Sequence, residues 1–421
     1  MEIKYKRIPL LLISVITCSL AQGLTIIAIP WYFTDDLNLS SQFSLFYGLV
    51  TLIGLFWGLY AGVIIDSCNR KKILLYMNWI SMFIFGAIGS SKYFLITLNP
   101  FLIFFGFATC SFYYTIFFPN LYALAQELTK KKEYVKINSL IEVFFQTTSI
   151  IAATMCGLLL SGSETLFEYF NWTFFEFQKW TINEIFILNS ILYFITAILL
   201  TWIPYDYQNL KNVSNPTVFS TLKEIKKASD FLMKKKAILI YGICSQIIFA
   251  FLIVELFALL PLFVKNCLNE NIIVFSLADV TYGLGAVIAG IITIKILKHI
   301  NKVSFTLFLI LIAGYAFVIM IKFPDIIIFF LTTLIIGVTN ASTRITRMSY
   351  FFENIPNYII GRTTTIFNSI NTIIRGILIF IFSAAWFSEK SNVIIGYKIG
   401  VFILIIFAIP LIWQIRNEKL N

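Results

Sequence analysis

Charged side chains that lie inside long apolar stretches are the residues of this sequence with the clearest capacity for chemistry. They are Glu142, Glu255, Asp279 and Arg375. Ionisable residues within membrane-spanning segments are costly, and they usually pair with one another or mark a path for a substrate, an ion or a proton. Because a buried charge needs a partner, we expect Arg375 to contact Glu255 or Asp279. A fixed structural pair and a substrate or proton site both fit this expectation.

The sequence contains none of the common catalytic motifs. It has one histidine, His299, and no HExxH, GxSxG or Walker pattern. The six cysteines are scattered and form no CxxC pair or disulfide framework. We therefore expect no catalytic residue, no metal ligand and no cofactor, and we do not expect an enzyme.

The elements that must position the charged residues are membrane-spanning helices. Hydrophobic residues make up 59% of the chain and charged residues only 13%, well below the roughly 25% charged residues of a soluble domain. A spanning helix needs about 20 predominantly apolar residues. Twelve such runs occur, over 8–33, 43–65, 73–92, 98–125, 137–162, 185–204, 237–264, 275–297, 304–322, 326–352, 361–387 and 393–415. The sequence predicts an all-α membrane protein with twelve transmembrane helices.

The net charge of +11 is distributed in a way that argues against nucleic acid as a partner. Lysine and arginine concentrate in every second loop and near both termini, for example at 70–72, 130–132 and 234–236. Such alternation orients a membrane protein with its basic loops in the cytoplasm. We therefore expect both termini to be cytoplasmic.

One polar stretch, residues 205–236, separates the sixth apolar run from the seventh. It divides the chain into a six-helix bundle over 1–204, a cytoplasmic linker over 205–236 and a second six-helix bundle over 237–421. Leu222, Ile225 and Leu232 share one helical face, which indicates an amphipathic helix on the inner membrane surface. A solvated charged linker is the alternative. Two related six-helix units are the layout of transporters that bind their substrate between the halves.

A charged loop after the second apolar run gives a more specific indication. It reads Gly62, three residues, Asp66, two residues and then Asn69-Arg70-Lys71-Lys72. This pattern resembles the loop signature of the major facilitator superfamily. The resemblance implies two pseudo-symmetric six-helix bundles, with Asp66 contacting the start of the eleventh span as a conformational latch. The latch residues implied in this way are Gly62, Asp66, Asn69, Arg70, Lys71, Gly361 and Arg362. The basic residues of the loop are also expected to contact anionic lipid.

Residues 117–160 resemble the corresponding region of the branch that holds macrolide-efflux proteins and enterobactin exporters. A proline, an alanine-rich helix end, a charged loop and an Asn-Ser-Leu helix start follow one another there in the same order. The resemblance implies export of a small amphipathic compound, drug-like or siderophore-like, across a bacterial inner membrane by alternating access. The chain departs from the branch at Gln22, where an acid is common, and at Ala152-Ala153, which replace Gly-Pro.

The resemblance also indicates which helices line a substrate cavity. Polar residues on those helices are the candidate substrate contacts: Gln22, Tyr113, Asn120, Gln146, Gln246, Asn340, Arg344, Asn368 and Asn371. If alternating access brings Glu255 next to Arg375 in only one state, the proton affinity of Glu255 changes between states. Protons are therefore a candidate partner beside the small-molecule substrate and the lipid bilayer, and we expect a monomer. Two alternatives stay open: a flippase for lysophospholipids or lipid-linked sugars, and a non-transporting receptor or scaffold.

Overall fold

The computed structural model of the chain describes residues 2–94, 99–129, 134–163, 177–205, 218–356 and 359–420. Within these ranges some side chains are not described, at positions 2–6, 59–60, 62–64, 66–67, 134–136, 138–139, 142, 218–225, 294, 360–361, 390 and 418–420. Four of the predicted site residues, Gly62, Asp66, Glu142 and Gly361, are among these positions, so only their place in a helix is described. The contact expected between Asp66 and the eleventh span stays a prediction.

The first part of the chain forms six long apolar helices. They are α1 (Glu2–Thr34), α2 (Ser40–Ser67), α3 (Arg70–Ser90), α4 (Pro100–Leu128), α5 (Tyr134–Ser161) and α6 (Ile182–Trp202). Asparagine side chains start two of them, since Asn69 and Asn99 accept the N–H groups of Lys72 and Phe101 at the first turns of α3 and α4. Such caps satisfy N–H groups that have no partner inside the helix.

The second part of the chain is also helical. Its helices are α7 (Val218–Lys234), α8 (Lys236–Cys244), α9 (Ile247–Val254), α10 (Leu260–Phe263), α11 (Ile272–Ile296), α12 (Lys302–Lys322), α13 (Ile326–Asn354), α14 (Ile360–Phe382) and α15 (Val393–Leu420). Two π-helical turns, Glu255–Leu259 and Val264–Leu268, continue α9 and α10. Together, residues 236–268 form one interrupted span.

The described residues contain 12 helices that are long and apolar enough to cross a membrane. Each corresponds to one of the twelve apolar runs in the sequence, and the described residues contain no strand. The predicted all-α membrane fold with twelve spanning helices is confirmed. The chain is a multi-pass membrane protein.

The helices group into two compact units. Unit 1 comprises Met1–Asn38, Ile53–Asn215 and Asn271–Ser276, and unit 2 comprises Leu39–Leu52, Pro216–Glu270 and Leu277–Asn421. The first part of α2 therefore belongs to unit 2, and the first turn of α11 belongs to unit 1. Within unit 1 the Phe275 ring stacks on Trp31, with ring centroids 5.7 Å apart.

Aromatic side chains form the core of unit 2. The ring centroids of Phe251 and Phe317 are 5.2 Å apart, and those of Phe263 and Tyr397 are 5.3 Å apart. These four side chains are fully buried. Edge-to-face pairs of this kind add about 0.5–1.5 kcal/mol each beyond the burial of their area. The pair of Phe263 and Tyr397 fixes α15 against the interrupted span and so holds Tyr397 in place.

Two glycines allow α11 and α13 to pack with their backbones in direct contact. A methyl group added to Gly285 would overlap the Leu334 carbonyl, and one added to Gly337 would overlap the Tyr282 carbonyl. Small residues at helix contacts permit this close approach in membranes. As a result, Tyr282 on α11 and Asn340 on α13 come within hydrogen-bonding distance.

The predicted amphipathic helix of the linker is present as α7. Ala228 and Leu232 are buried, and α7 packs against α8 and α14. Lys226 and Lys227 are exposed on its other face. The apolar face of α7 therefore contacts protein in unit 2, and a position on the inner membrane surface stays a prediction.

Candidate functional site

The seventh span is broken near its start. α8 ends at Cys244 and α9 begins at Ile247, with a turn at Ser245 and Gln246. Arg347 Nη1 on α13 donates to the Ser245 carbonyl at 2.9 Å, and Asn371 Nδ2 on α14 donates to the Gln246 carbonyl at 3.2 Å. Irregular backbone within a membrane requires such internal partners. Arg347 and Asn371 therefore stabilise the break.

A second irregularity lies at Glu255, which is the first residue of a π-helical turn. Pro261 has no N–H group and cannot donate to the carbonyl of Phe257, four residues earlier. The N–H of Leu260 instead donates to the Glu255 carbonyl, five residues earlier. Single π-helical turns occur frequently at functional sites.

A cavity of about 100 Å³ adjoins this turn inside unit 2. It lies between the seventh span, α11 and α13. Its wall consists of Phe249, Leu252, Ile253, Glu255, Leu256, Leu260, Ala278, Asp279, Tyr282, Thr333, Ile336 and Asn340. Two carboxylates and three neutral polar side chains thus face one largely apolar space. The cavity brings together three of the residues predicted from the sequence, Glu255, Asp279 and Asn340.

Hydrogen bonds order most of the polar side chains in this wall. Tyr397 Oη donates to Glu255 Oε1 at 2.6 Å, and Asn340 Nδ2 donates to Tyr282 Oη at 2.5 Å. Glu255 is only 6% exposed. Asp279 is partly buried and forms no hydrogen bond or ion pair with any residue that the structure describes.

The expected ion pair of Arg375 is not formed. Arg375 forms no ion pair with a carboxylate of the described residues, and its Nη2 instead donates to Thr372 Oγ1 at 3.1 Å, one turn earlier on α14. Glu255 bonds to the neutral hydroxyl of Tyr397 rather than to a guanidinium. Thr372 thus takes the place of a carboxylate beside Arg375, and Tyr397 takes the place of a cation beside Glu255. The predicted Glu255–Arg375 pair is therefore wrong for this conformation.

The other predicted cavity residues of unit 2 do not line this cavity. Gln246 and Asn371 are buried at the break of the seventh span, where Asn371 has a structural contact. Arg344 and Asn368 are exposed. Arg362, a predicted latch residue, is partly buried near the start of α14.

In unit 1, two of the predicted substrate contacts form a buried network. The Tyr113 hydroxyl donates to Asn78 Oδ1 at 3.1 Å and lies 3.1 Å from Cys18 Sγ. Gln22 Nε2 contacts the same sulfur at 3.7 Å. All four side chains are at most 1% exposed, so in this conformation Tyr113 and Gln22 join α1, α3 and α4 rather than face a cavity. Gln146 is exposed.

The basic residues of the charged loop bind protein groups of unit 1, and the lipid contacts expected for Arg70 and Lys71 stay a prediction. Arg70 Nη1 lies 2.8 Å from Glu127 Oε1 and donates to the Ala123 carbonyl at 2.9 Å. Asn120 Nδ2 donates to the Arg70 carbonyl at 2.8 Å. Asn120, a predicted substrate contact, thus joins the end of α4 to the start of α3.

Lys71 has a similar structural role at the end of α6. Its Nζ donates to the carbonyls of Thr201 and Ile203 at 2.9 and 2.8 Å. A cation at a helix C-terminus satisfies free carbonyls and interacts favourably with the helix dipole, by about 0.3–1 kcal/mol at exposed sites. The loop therefore holds the ends of three helices of unit 1 together.

Comparison with known proteins extends these observations. The sequence profile of the Major Facilitator Superfamily matches residues 11–379. No curated protein sequence matches the chain.

Several solved structures share the fold. A mutant of the nucleoside transporter NupG has a TM-score of 0.73 at 14% identity, over 97% of this chain and 99% of that one. A bacterial homologue of the iron transporter ferroportin, in an inward-facing state, has a TM-score of 0.66 at 14% identity, over 97% and 98%. A D-xylose–proton symporter has a TM-score of 0.66 at 14% identity, over 95% and 97%. At these identities the similarity establishes the fold.

Proposed function

The chain belongs to the Major Facilitator Superfamily and is a membrane transporter of that type, and we propose that it exports a small amphipathic compound by alternating access. The transporter resides in the bacterial inner membrane with both termini in the cytoplasm. The alternation of basic loops along the sequence supports this orientation. Transport is driven by protons, for which Glu255 is the binding group.

The cavity of unit 2 is the observation that carries this proposal. Its wall combines a large apolar area with the carboxylates of Glu255 and Asp279 and the polar groups of Tyr282 and Asn340. Ligand sites have this composition, in which apolar walls bind the ligand and a few polar groups orient it. The volume of about 100 Å³ is below the roughly 300–1,000 Å³ of sites for drug-sized ligands. In this conformation the cavity therefore fits one end of a compound.

The direction of transport rests on the sequence. Residues 117–160 resemble the branch of macrolide-efflux proteins and enterobactin exporters, and export is the activity that this resemblance implies. The proton-binding role rests on the bond between Glu255 and Tyr397. A neutral hydroxyl permits a carboxylate to take up and release a proton, whereas a paired guanidinium favours the ionised form.

The proposal is tested by flux in proteoliposomes that contain the full-length protein. Three fluorescent amphiphiles of different charge serve as substrates: ethidium as a cation, phenylnaphthylamine as a neutral compound and anilinonaphthalenesulfonate as an anion. We expect a pH gradient to drive movement of at least one of them, and we expect the movement to stop when a protonophore removes the gradient.

The control is the same protein with the gradient reversed, which should reverse the direction of movement. Protein-free liposomes report passive leakage. If none of the three compounds moves faster than in protein-free liposomes under either gradient, the proposed export function is contradicted. Movement that ignores the gradient would contradict proton coupling and leave transport in place.

A further inference from the structure

The cavity of unit 2 has two carboxylates in its wall, and neither is paired with a cation of the described residues. Glu255 uses one carboxylate oxygen to accept the Tyr397 hydroxyl, and its other oxygen has no hydrogen bond to a described residue. Asp279 likewise has no such partner. A carboxylate that is withdrawn from water needs a counter-charge or a proton. The cavity therefore lacks positive charge unless protons or a cationic ligand occupy it.

The groups that face the two carboxylates come from three packed helices. Tyr397 on α15 contacts Glu255, and Tyr282 on α11 lies within electrostatic range of both carboxylates and of Arg344 on α13. Arg344 is exposed and forms no ion pair with a described residue. Arg344 thus leaves both carboxylates free for another partner.

The rest of the cavity wall favours an organic ammonium over a metal cation. Calcium takes six to eight oxygen ligands and magnesium six, in near-ideal octahedral geometry. Most of this wall is instead hydrocarbon, contributed by side chains such as Leu252, Leu256 and Ile336. An ammonium group needs only a few acceptors, and its alkyl substituents fit an apolar wall. The rings of Phe249 and Tyr282 also line the cavity, and aromatic rings attract organic cations.

We propose that this cavity binds the ammonium end of an amphipathic amine between Glu255 and Asp279, in exchange for protons on the same carboxylates. No covalent bond changes in this step. The positive charge of the ammonium replaces that of a proton, which leaves a carboxyl oxygen for the solution. The inference rests on the proposed function in that it names the substrate class of the transporter.

The test measures binding to the full-length protein in detergent, without a membrane or a gradient. Phenylethylamine is the probe, and phenylethanol is its neutral isostere of nearly equal shape. Titration calorimetry in two buffers of different ionisation enthalpy reports both the affinity and the protons released. We expect the amine to bind about tenfold more tightly than the alcohol, which corresponds to about 1.4 kcal/mol, and to release protons to the buffer.

Variants locate the site. Asp279→Asn removes a carboxylate that has no hydrogen bond to a described residue, so the protein should stay folded while amine binding weakens about tenfold. Glu255→Gln retains an oxygen for Tyr397 and should have the same effect. Glu389→Gln is the control, because Glu389 is exposed and outside the cavity, and it should bind the amine as the unchanged protein does.

Three results would overturn the inference: no amine binding by the unchanged protein, equal affinity for amine and alcohol, or unchanged binding in both cavity variants. The outcome is separable from that of the flux experiment. Transport of a neutral or anionic amphiphile without amine binding would leave the proposed function and remove this inference. Amine binding without flux of any of the three amphiphiles would contradict the proposed export and leave the amine site in place.

Discussion

The Tyr397 hydroxyl donates a 2.6 Å hydrogen bond to Oε1 of Glu255 within the core of unit 2. Both side chains are buried, and Glu255 begins a π-helical turn of the seventh span. Tyr397 itself is held by the rings of Phe263 and Phe317. The aromatic core thus determines where the carboxylate points, and a neutral donor rather than a cation stabilises it.

Tyr397→Phe removes this donor and keeps the ring. The buried carboxylate loses its hydrogen bond, so we expect the free energy of unfolding to fall by about 1–3 kcal/mol. Thermal unfolding in detergent measures the change. Tyr315→Phe on α12 is the matched control, because Tyr315 is 67% exposed and its substitution should have almost no effect. Equal unfolding temperatures for the two variants would show that the bond contributes nothing.

A second prediction follows from the close contact between α11 and α13. Gly337→Ala places a methyl group against the Tyr282 carbonyl, and overpacking of this kind typically costs about 1–3 kcal/mol. We expect less folded protein and weaker ligand binding in the cavity. Gly290→Ala on α11 meets no atom within 4 Å and should be neutral or stabilising by roughly 0.5–1 kcal/mol, because alanine favours a helix. The reverse order of stabilities would contradict the close backbone contact.

A third prediction concerns the break in the seventh span. Arg347→Met leaves the Ser245 carbonyl without its side-chain donor, and a hydrogen bond from a charged group contributes about 1.5–3 kcal/mol. We expect local opening that exposes Cys244, which is buried beside the break. Mass spectrometry after maleimide treatment measures alkylation at this cysteine. Arg344→Met is the control, since Arg344 is exposed, and equal alkylation in both variants would exclude a stabilising role for Arg347.

Composition was sufficient to predict the helices and their number. Each spanning helix is a run of apolar residues as long as a bilayer is thick, so local sequence determines it. Glu255, Asp279 and Asn340 were also predictable as candidate site residues, because charged and polar groups in such runs are costly. Their proximity in one cavity depends on the packing of three separate spans, and the spacing of residues along the chain does not determine that packing.

The sequence did not predict Tyr282, Thr333 and Tyr397. The chain contains 20 tyrosines and many threonines in its spans, so residue type alone does not identify these three. Pro261 was a usable signal. A proline six residues after Glu255 predicts an irregular turn at the acid. The expected partner of Glu255 was wrong for a physical reason: charge complementarity ranked Arg375 first, whereas the packing of α15 presents a hydroxyl.

The charged loop supports a fourth prediction, which rests on the family signature. Asp66→Asn removes the charge that is expected at the start of the eleventh span. We expect normal membrane insertion, a shift towards the inward-facing state and reduced transport. Cysteine accessibility from both sides of the membrane measures the shift, and Asp230→Asn on the exposed face of α7 is the control. Unchanged accessibility together with unchanged transport would contradict a latch at Asp66.

Glu255 is proposed to couple proton movement to export, and proton-driven flux of the Glu255→Gln variant in proteoliposomes tests this role most directly. Glutamine can still accept the Tyr397 hydrogen bond but cannot exchange a proton at neutral pH. The variant should therefore fold and express normally, and its transport should no longer respond to a pH gradient. Export that accelerates with the gradient as in the unchanged protein would contradict the claim.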